Sequence, residues 1–212
     1  MRYVSIKFSF TVCSLLLLFA CAEKNESYRS DLPYLGEYHI GFLSRDTIHY
    51  RVPGAKLLNE NGTVVNNILE SDSEVKIVNF FFSRCPSVCP LMNTQLQRLS
   101  REFKDYDLAI HSISIDPEYD TYLKLKEYRQ NREFSSENWQ FYTGNKKEIF
   151  AFAQSCKLKA FEAENADENP IHEPIIVLLD ARNHIRGYYN SLQATDMKKI
   201  ETDIRKLIKE IS

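Results

Sequence analysis

The sequence predicts an α/β fold in which a central mixed β-sheet is flanked by helices and preceded by a β-hairpin. Strand-like apolar runs alternate with segments of helical periodicity along the chain, which is typical of a sheet covered on both faces. Residues 75–82 (VKIVNFFF) are mostly apolar, β-branched and aromatic, which indicates a central strand buried on both faces. The 27 basic and 29 acidic residues are interleaved without a long basic run, so no nucleic-acid partner is expected.

The elements are predicted in the following order. Asn61-Gly62, between two short alternating runs, predicts the hairpin that precedes the central strand. Helix, strand, helix, strand and helix then follow at 90–103, 107–116, 121–131, 138–143 and 146–156. A second hairpin turns at Arg182-Asn183, and an amphipathic helix closes the chain. The side chains predicted to line the core faces of the first and last helices are Leu91, Leu96, Leu99 and Phe103, and Met197, Ile200, Ile204 and Ile208.

The N-terminal 46 residues are predicted to lie outside the folded domain, which spans 47–212. Residues 1–20 contain a short apolar stretch after Arg2 and Lys7, as in a secretory signal. The end of this stretch, LFAC (residues 18–21), resembles the lipobox of bacterial lipoproteins and makes Cys21 the predicted lipid-bearing residue. The alternative is an uncleaved anchor with an unmodified Cys21. Residues 21–46 are then a polar, irregular tether, and the protein is an exported lipoprotein, anchored to the membrane and facing the periplasm.

Cys85 and Cys89 lie where the central strand gives way to a helix. If that helix begins near Pro86, Cys85 is on the cap side and Cys89 is one turn inside, so the two side chains share a face. Backbone N–H groups at a helix start favour a thiolate. Such a pair can bind a soft metal ion or close into a disulfide. A permanent structural disulfide is disfavoured, because so short a loop constrains little chain entropy.

Two thiolates favour Cu(I) or zinc, and a third ligand would complete a trigonal site. His172 is the best placed of the five histidines, because it stands immediately before an apolar strand, where loops at neighbouring strand ends converge. His39 and His49 lie near the tether, His111 is predicted to be structural within a strand, and His184 is predicted to be a solvated turn residue. Spacing alone leaves His172 equally consistent with a ligand and with an ordinary loop histidine.

Three segments in order resemble the Sco/SenC family of thioredoxin-like copper proteins. FFSRCPSVCPLM is similar to its C-x-x-x-C-P motif, SISIDPEYDT to its D-P-x-x-D-T segment, and IHEPIIVLLDARNHIRGYYN to its histidine-plus-strand segment. The resemblance implies a thioredoxin-like fold and a copper ion, Cu(I) or Cu(II), held by Cys85, Cys89 and His172. Asp116 is then either an outer-shell residue of this site or part of a turn with Pro117.

The resemblance also implies a role in maturing the copper centre of cytochrome c oxidase. The partner would be the copper-bearing subunit of the oxidase or another copper or thiol protein. The alternative is a thiol–disulfide oxidoreductase in which Cys85 and Cys89 form a catalytic redox pair and His172 is dispensable. The two functions are not exclusive, so enzymatic activity is left open. Cys156, on a predicted helix, is expected to be a buried, inert thiol.

Overall fold

The computed structural model describes residues 30–42, 45–70, 75–158 and 174–211. The described strands are β1 (Tyr38–Ile40), β2 (Thr47–His49), β3 (Leu57–Asn59), β4 (Val64–Val65), β5 (Val75–Phe81), β6 (Leu108–Ser114), β7 (Trp139–Thr143), β8 (Ile175–Leu179) and β9 (Ile185–Asn190). The helices are α1 (Val88–Glu102), α2 (Tyr122–Asn131), α3 (Lys146–Ser155) and α4 (Ala194–Ile211). This order confirms the predicted α/β fold with a hairpin, β3–β4, ahead of the central strand.

The main sheet is mixed, with the strand order β4-β3-β7-β6-β5-β8-β9. Its central strand β5 is buried along its whole length, as predicted. β5 pairs in parallel with β6 and antiparallel with β8, where Asn79 lies opposite Ile176. β8 therefore begins at the end of the sheet where β5 and β6 finish. We call this the cysteine end, because the chain enters the cysteine-bearing loop directly from β5.

The helices owe their orientation to apolar side chains at helical spacing. α1 buries Met92, Leu96 and Leu99, whereas Leu91 is exposed, so the prediction that Leu91 faces the core is wrong. The helix begins at Val88, and its core face is set by positions three and four residues apart counted from Cys89. α2 begins as predicted, because the Thr121 hydroxyl accepts a hydrogen bond from the Lys124 N–H.

The segment before the domain is more ordered than the sequence indicates. Tyr38–Ile40 form β1 and pair antiparallel with β2 in a separate two-stranded sheet, so an irregular tether up to residue 46 is wrong for these residues. The strand escaped prediction because it is only three residues long and its partner lies beyond the assumed boundary. No helix in the described ranges combines the length and apolar character that a bilayer span requires.

Candidate metal centre

The cysteine-bearing loop joins β5 to α1 at the cysteine end of the sheet. The Cys85 N–H donates to the Phe82 carbonyl at 3.2 Å, which closes a tight turn. The helix begins at Val88 after Ser87 at the N-cap, rather than near Pro86, so Cys85 lies outside it and Cys89 is its second residue. Pro90 therefore occupies the first helical turn, where its missing N–H costs no hydrogen bond.

The Cys85 sulfur lies against the first N–H groups of α1. The Cys89 N–H donates to Cys85 Sγ at 3.4 Å. Burial raises the pKa of the Cys85 thiol, but hydrogen bonds from the Cys89 side chain and from the backbone N–H groups of Cys89, Ser87 and Val88 lower it, and the net pKa lies below the usual value. The predicted effect of a helix start on a thiol is therefore found at Cys85.

Cys89 shows the opposite behaviour. Burial, followed by its interactions with Cys85 and Asp120, raises its pKa far above the usual value. Cys85 and Cys89 are both buried and present as thiols rather than as a disulfide. The pair is thus asymmetric, with a lowered pKa at Cys85 and a raised pKa at Cys89. Cys156 is fully buried beside α3, and burial raises its pKa to about 12, as expected for an inert thiol.

Alkylation should separate these thiols in the native protein. Because the Cys85 pKa is lowered, its thiolate fraction at neutral pH exceeds that of an ordinary cysteine, and its reaction with iodoacetamide should level off at a lower pH. Cys89 and Cys156 should remain unmodified at pH 7, since burial raises the pKa of both. Peptide mapping by mass spectrometry measures each site. Modification of Cys156 at the rate of Cys85 in folded protein would contradict the assignment.

A buried carboxylate fixes the loop that carries Cys85. Asp120 accepts hydrogen bonds from the Ser83 N–H at 2.9 Å, from the Ser83 hydroxyl and from the Ser114 hydroxyl at 2.5 Å. Asp120 is fully buried. Sequence reasoning did not select Asp120, although it is the second aspartate of SISIDPEYDT. The usable signal was that this segment follows β6, whose end lies beside the end of β5.

Asp116 also contacts the cysteine-bearing loop. Its Oδ2 atom lies 2.6 Å from Nη2 of Arg84, the residue before Cys85, and the Arg84 guanidinium stacks over the Tyr119 ring at 4.3 Å. The Asp116 N–H donates to the Ser114 hydroxyl at 3.1 Å. Asp116 therefore contacts the loop through Arg84 and also forms the turn before α2, where its carbonyl accepts from the Tyr119 and Asp120 N–H groups. Its role as an outer-shell residue of a metal site stays a prediction.

The four described histidines lie away from the cysteines. His111 is buried within β6 with Nδ1 3.2 Å from the Tyr142 hydroxyl, and burial, reinforced by the charge of Lys76, lowers its pKa to about 3, in line with a structural role. His184 is not a solvated turn residue: Nδ1 lies 3.1 Å from Asp180 Oδ2 and the ring packs against Tyr34.

His39 and His49 belong to β1 and β2. His172 and Cys21 lie outside the described residues. Within those residues, no three His, Cys, Asp or Glu side chains are arranged to hold a metal ion.

Pro174, two residues after His172 in the sequence, is the first described residue before β8. The Pro174 carbonyl accepts hydrogen bonds from the Ser191 N–H at 2.8 Å and from its hydroxyl at 2.9 Å. Since β8 begins where β5 ends, Pro174 stands at the cysteine end of the sheet. The described part of the predicted site thus consists of the two cysteines, with the start of β8 at the same end.

Comparison with known sequences gives one family. A family model described as SCO1/SenC matches residues 54–209. A SCO1 protein homolog from Bacillus subtilis (strain 168) is 31% identical over 169 residues, which cover 76% of this chain and 84% of the relative.

Solved structures agree with the sequence relatives. The soluble domain of Sco1 from Bacillus subtilis is 32% identical with a TM-score of 0.56, over 74% of this chain and 91% of that one. BsSco, described as a member of the Sco family of cytochrome c oxidase assembly proteins, is 29% identical with a TM-score of 0.64, over 74% and 93%. Copper-bound ScoI from Arabidopsis thaliana shares the fold, with 23% identity and a TM-score of 0.61 over 73% and 97%. The match over residues 54–209 shows that this chain belongs to the SCO1/SenC family and has its thioredoxin-like fold.

Proposed function

We propose that the chain is a copper chaperone that binds copper as its cargo through Cys85, Cys89 and His172. It would act in maturation of the copper centre of cytochrome c oxidase. The observation that carries this proposal is the adjacent pair of thiols at the cysteine end, one with a lowered and one with a raised pKa. Membership of a family that includes copper-bound proteins and oxidase assembly proteins supports it.

The donor set fits a soft ion. Thiolates select Cu(I), and a coordinating metal removes the proton from a thiol outright. Cys85, with its lowered pKa, would lose its proton more readily than Cys89, and coordination would supply the driving force to deprotonate Cys89. Cys85 lies just before α1 and is 6% exposed, whereas Cys89 is fully buried, so an incoming thiol of a partner protein would approach Cys85 first. Such access is what ligand exchange between proteins requires.

His172 is proposed as the third ligand on the basis of chain connectivity. It precedes Pro174 by two residues, a span of at most about 7 Å, and Pro174 stands at the cysteine end. The four described histidines are engaged elsewhere in the fold or lie in the β1–β2 sheet. A cavity of about 510 Å³ beside Arg129 and Trp139 has neither cysteine in its lining and is therefore separate from the proposed site.

Thiol–disulfide exchange is the second candidate function. The Cys85 thiolate would attack a sulfur of the partner's disulfide and release one partner thiolate, and Cys89 would then displace the second and close the Cys85–Cys89 disulfide. BsSco, one of the relatives of known structure, is described as having a disulfide switch. In this chain the raised pKa of Cys89 slows the second displacement, which needs the Cys89 thiolate. Copper binding is the favoured activity because copper-bound proteins are among the structural relatives of this chain.

The proposed setting is outside the cytoplasm. Residues 1–20 would act as the signal, and Cys21 would carry the lipid that tethers the domain to a membrane facing the periplasm. The proposed partner is the copper-bearing subunit of cytochrome c oxidase or another exported protein with copper-binding thiols. An exported compartment also permits the Cys85–Cys89 pair to cycle between dithiol and disulfide.

The His172→Ala substitution tests the ligand set. The parent chain should bind a single Cu(I) ion, and His172→Ala should weaken its affinity about 100-fold or more, beyond the loss usual for outer-shell changes. Competition with a chromophoric Cu(I) chelator measures this affinity. His39→Ala, in exposed β1, is the matched control and should bind as the parent does. Undiminished affinity in His172→Ala would remove His172 from the site.

Deletion of the gene separates copper delivery from thiol reduction. Oxidase activity should fall and recover when copper is added to the medium, because excess metal bypasses a delivery protein. Recovery with an added thiol reductant but not with copper would favour the exchange reaction instead.

A further inference from the structure

The β1–β2 sheet exposes apolar side chains on both faces. Tyr38, Ile40, Phe42 and Ile48, which we call the hairpin tip, have exposed fractions of 64%, 68%, 99% and 55%. Side chains alternate along a strand, and residues directly opposite share a face. Tyr38 and Ile40 therefore project from one face, and Ile48, opposite His39, projects from the other. A hairpin with apolar side chains on both faces is better suited to insertion into a fluid apolar layer than to binding a single rigid surface.

The exposed side chains of the hairpin tip belong to a segment whose backbone is hydrogen-bonded. The Gly41 N–H donates to the Asp46 carbonyl at 2.9 Å, and the Arg45 N–H donates to the Gly41 carbonyl at 3.0 Å. At the base of the hairpin, the Tyr50 N–H donates to the Glu37 carbonyl, and the Glu37 carboxylate pairs with Lys157 at 3.0 Å. The apolar side chains are therefore held outward by the backbone.

The hairpin lies at the end of the sheet opposite the cysteines. Leu35 bridges to Ile185, the first residue of β9, which lies at that opposite end because β9 runs antiparallel to β8. The Tyr50 hydroxyl donates to the carbonyl of Ser155, the last residue of α3. The Ser30 N–H donates to Glu210 near the end of α4 at 2.5 Å. The chain thus enters the described domain at the same end as the hairpin.

The length of chain before Ser30 limits how far this end can stand from a lipid anchor. Eight residues separate Cys21 from Ser30, and the nine steps along the chain span at most about 32 Å when fully extended. A single flexible tether leaves the domain free to rotate, whereas a second contact fixes its orientation.

Neither Tyr38–Phe42 nor Thr47–His49 contains a carboxylate side chain. Arg45 and Asp46 lie in the turn between these two segments. Aromatic and aliphatic side chains of this kind favour the headgroup boundary of a membrane.

We propose that the hairpin tip contacts the membrane surface and thereby directs the cysteine end away from the bilayer, towards an exported partner. The proposal rests on the proposed tether at Cys21. The site it assigns is a lipid-contacting surface formed by Tyr38, Ile40, Phe42 and Ile48.

Tryptophan quenching in the full chain tests this surface. Trp139 is the only tryptophan and is 1% exposed, so it provides a shielded background. The Phe42→Trp chain is reconstituted in vesicles of phosphatidylcholine and phosphatidylglycerol whose acyl chains carry bromine. Its added emission should fall roughly two-fold, because interfacial side chains lie about 5–10 Å into the headgroup and acyl boundary. Leu192→Trp is the matched control, an exposed apolar position after β9 at the cysteine end, and should keep its emission.

Sedimentation of the chain with the same vesicles measures attachment through the tether, separately from contact of the hairpin with lipid. Quenching at position 42 but not at position 192, reduced by adding Ile40→Ser and Ile48→Ser, supports the proposal. Sedimentation without quenching at position 42, or equal quenching at both positions, overturns the lipid contact and leaves the tether standing. Failure to sediment overturns both. Protection of position 42 from acrylamide in lipid-free protein shows that a second copy or another part of the chain covers the tip, and also overturns the proposal.

Discussion

Copper binding is expected to disappear when either Cys85 or Cys89 is replaced by serine. The two sulfur atoms are the only thiols at the cysteine end among the described residues, and a serine hydroxyl does not replace a thiolate as a ligand for Cu(I). We expect the affinity for Cu(I) to fall by more than about 100-fold in each variant, exceeding the effect of changes around a metal site. Chelator competition under reducing conditions measures it.

Cys156→Ser is the matched control for these two variants. Cys156 is fully buried at the end of α3, and its carbonyl accepts a hydrogen bond from the Tyr188 hydroxyl at 3.1 Å. The substitution removes a thiol without touching the cysteine-bearing loop, so copper affinity should match that of the parent. Full binding by Cys85→Ser, or loss of binding in a folded Cys156→Ser chain, would contradict the assignment of the two cysteines.

Asp120→Ala is expected to lower the free energy of unfolding by about 2–4 kcal/mol. The substitution removes the acceptor of three hydrogen bonds, which are donated by the Ser83 N–H, the Ser83 hydroxyl and the Ser114 hydroxyl. Asp120→Asn keeps the volume and one acceptor oxygen, so its loss should be smaller, about 1–2 kcal/mol. Urea unfolding monitored by Trp139 fluorescence measures both.

The control for Asp120 is Asp105→Ala. The Asp105 side chain is 81% exposed, and its oxygen lies 4.0 Å from Lys104, a pairing that contributes little in water. Its unfolding free energy should change by less than about 0.5 kcal/mol. Equal stability of Asp120→Ala and Asp105→Ala would show that Asp120 does not hold the loop. In a folded Asp120→Asn chain the Cys89 pKa should fall, because the negative charge of Asp120 helps to raise it.

The sequence predicted the order of the elements in the main sheet because each has its own local signal. The apolar run of β5, the helical spacing in α1 to α4, the Thr121 cap and the Asn61-Gly62 turn each depend on near neighbours in the chain. β1 carries no such signal, since three exposed residues form a strand only when β2 pairs with them. The predicted start of α1 differs from the observed one because a proline follows each of the two cysteines, and either proline suits a first helical turn.

The candidate site was found only in part by local reasoning. Cys85 and Cys89 stand out by their spacing, but whether a helix start lowers or raises a thiol pKa depends on burial, which the chain alone does not show. Burial prevails at Cys89, and N–H groups prevail at Cys85. Asp120 went unnoticed because its role depends on contacts with Ser83 across two loops. His184 was misjudged because Asp180 and Tyr34 enclose it only in the folded chain.

The sequence by itself determined the secondary-structure order of the main sheet, the family resemblance and the two thiols, because each is encoded in a short contiguous segment. The tertiary structure alone decided what depends on residues distant in the chain. It placed the start of β8 beside the end of β5, and the hairpin tip at the opposite end of the sheet from the two cysteines. It also lowered the pKa of Cys85 and raised the pKa of Cys89 relative to an ordinary thiol. The physical reason is that strand pairing, burial and hydrogen bonding across loops arise only when distant segments pack together.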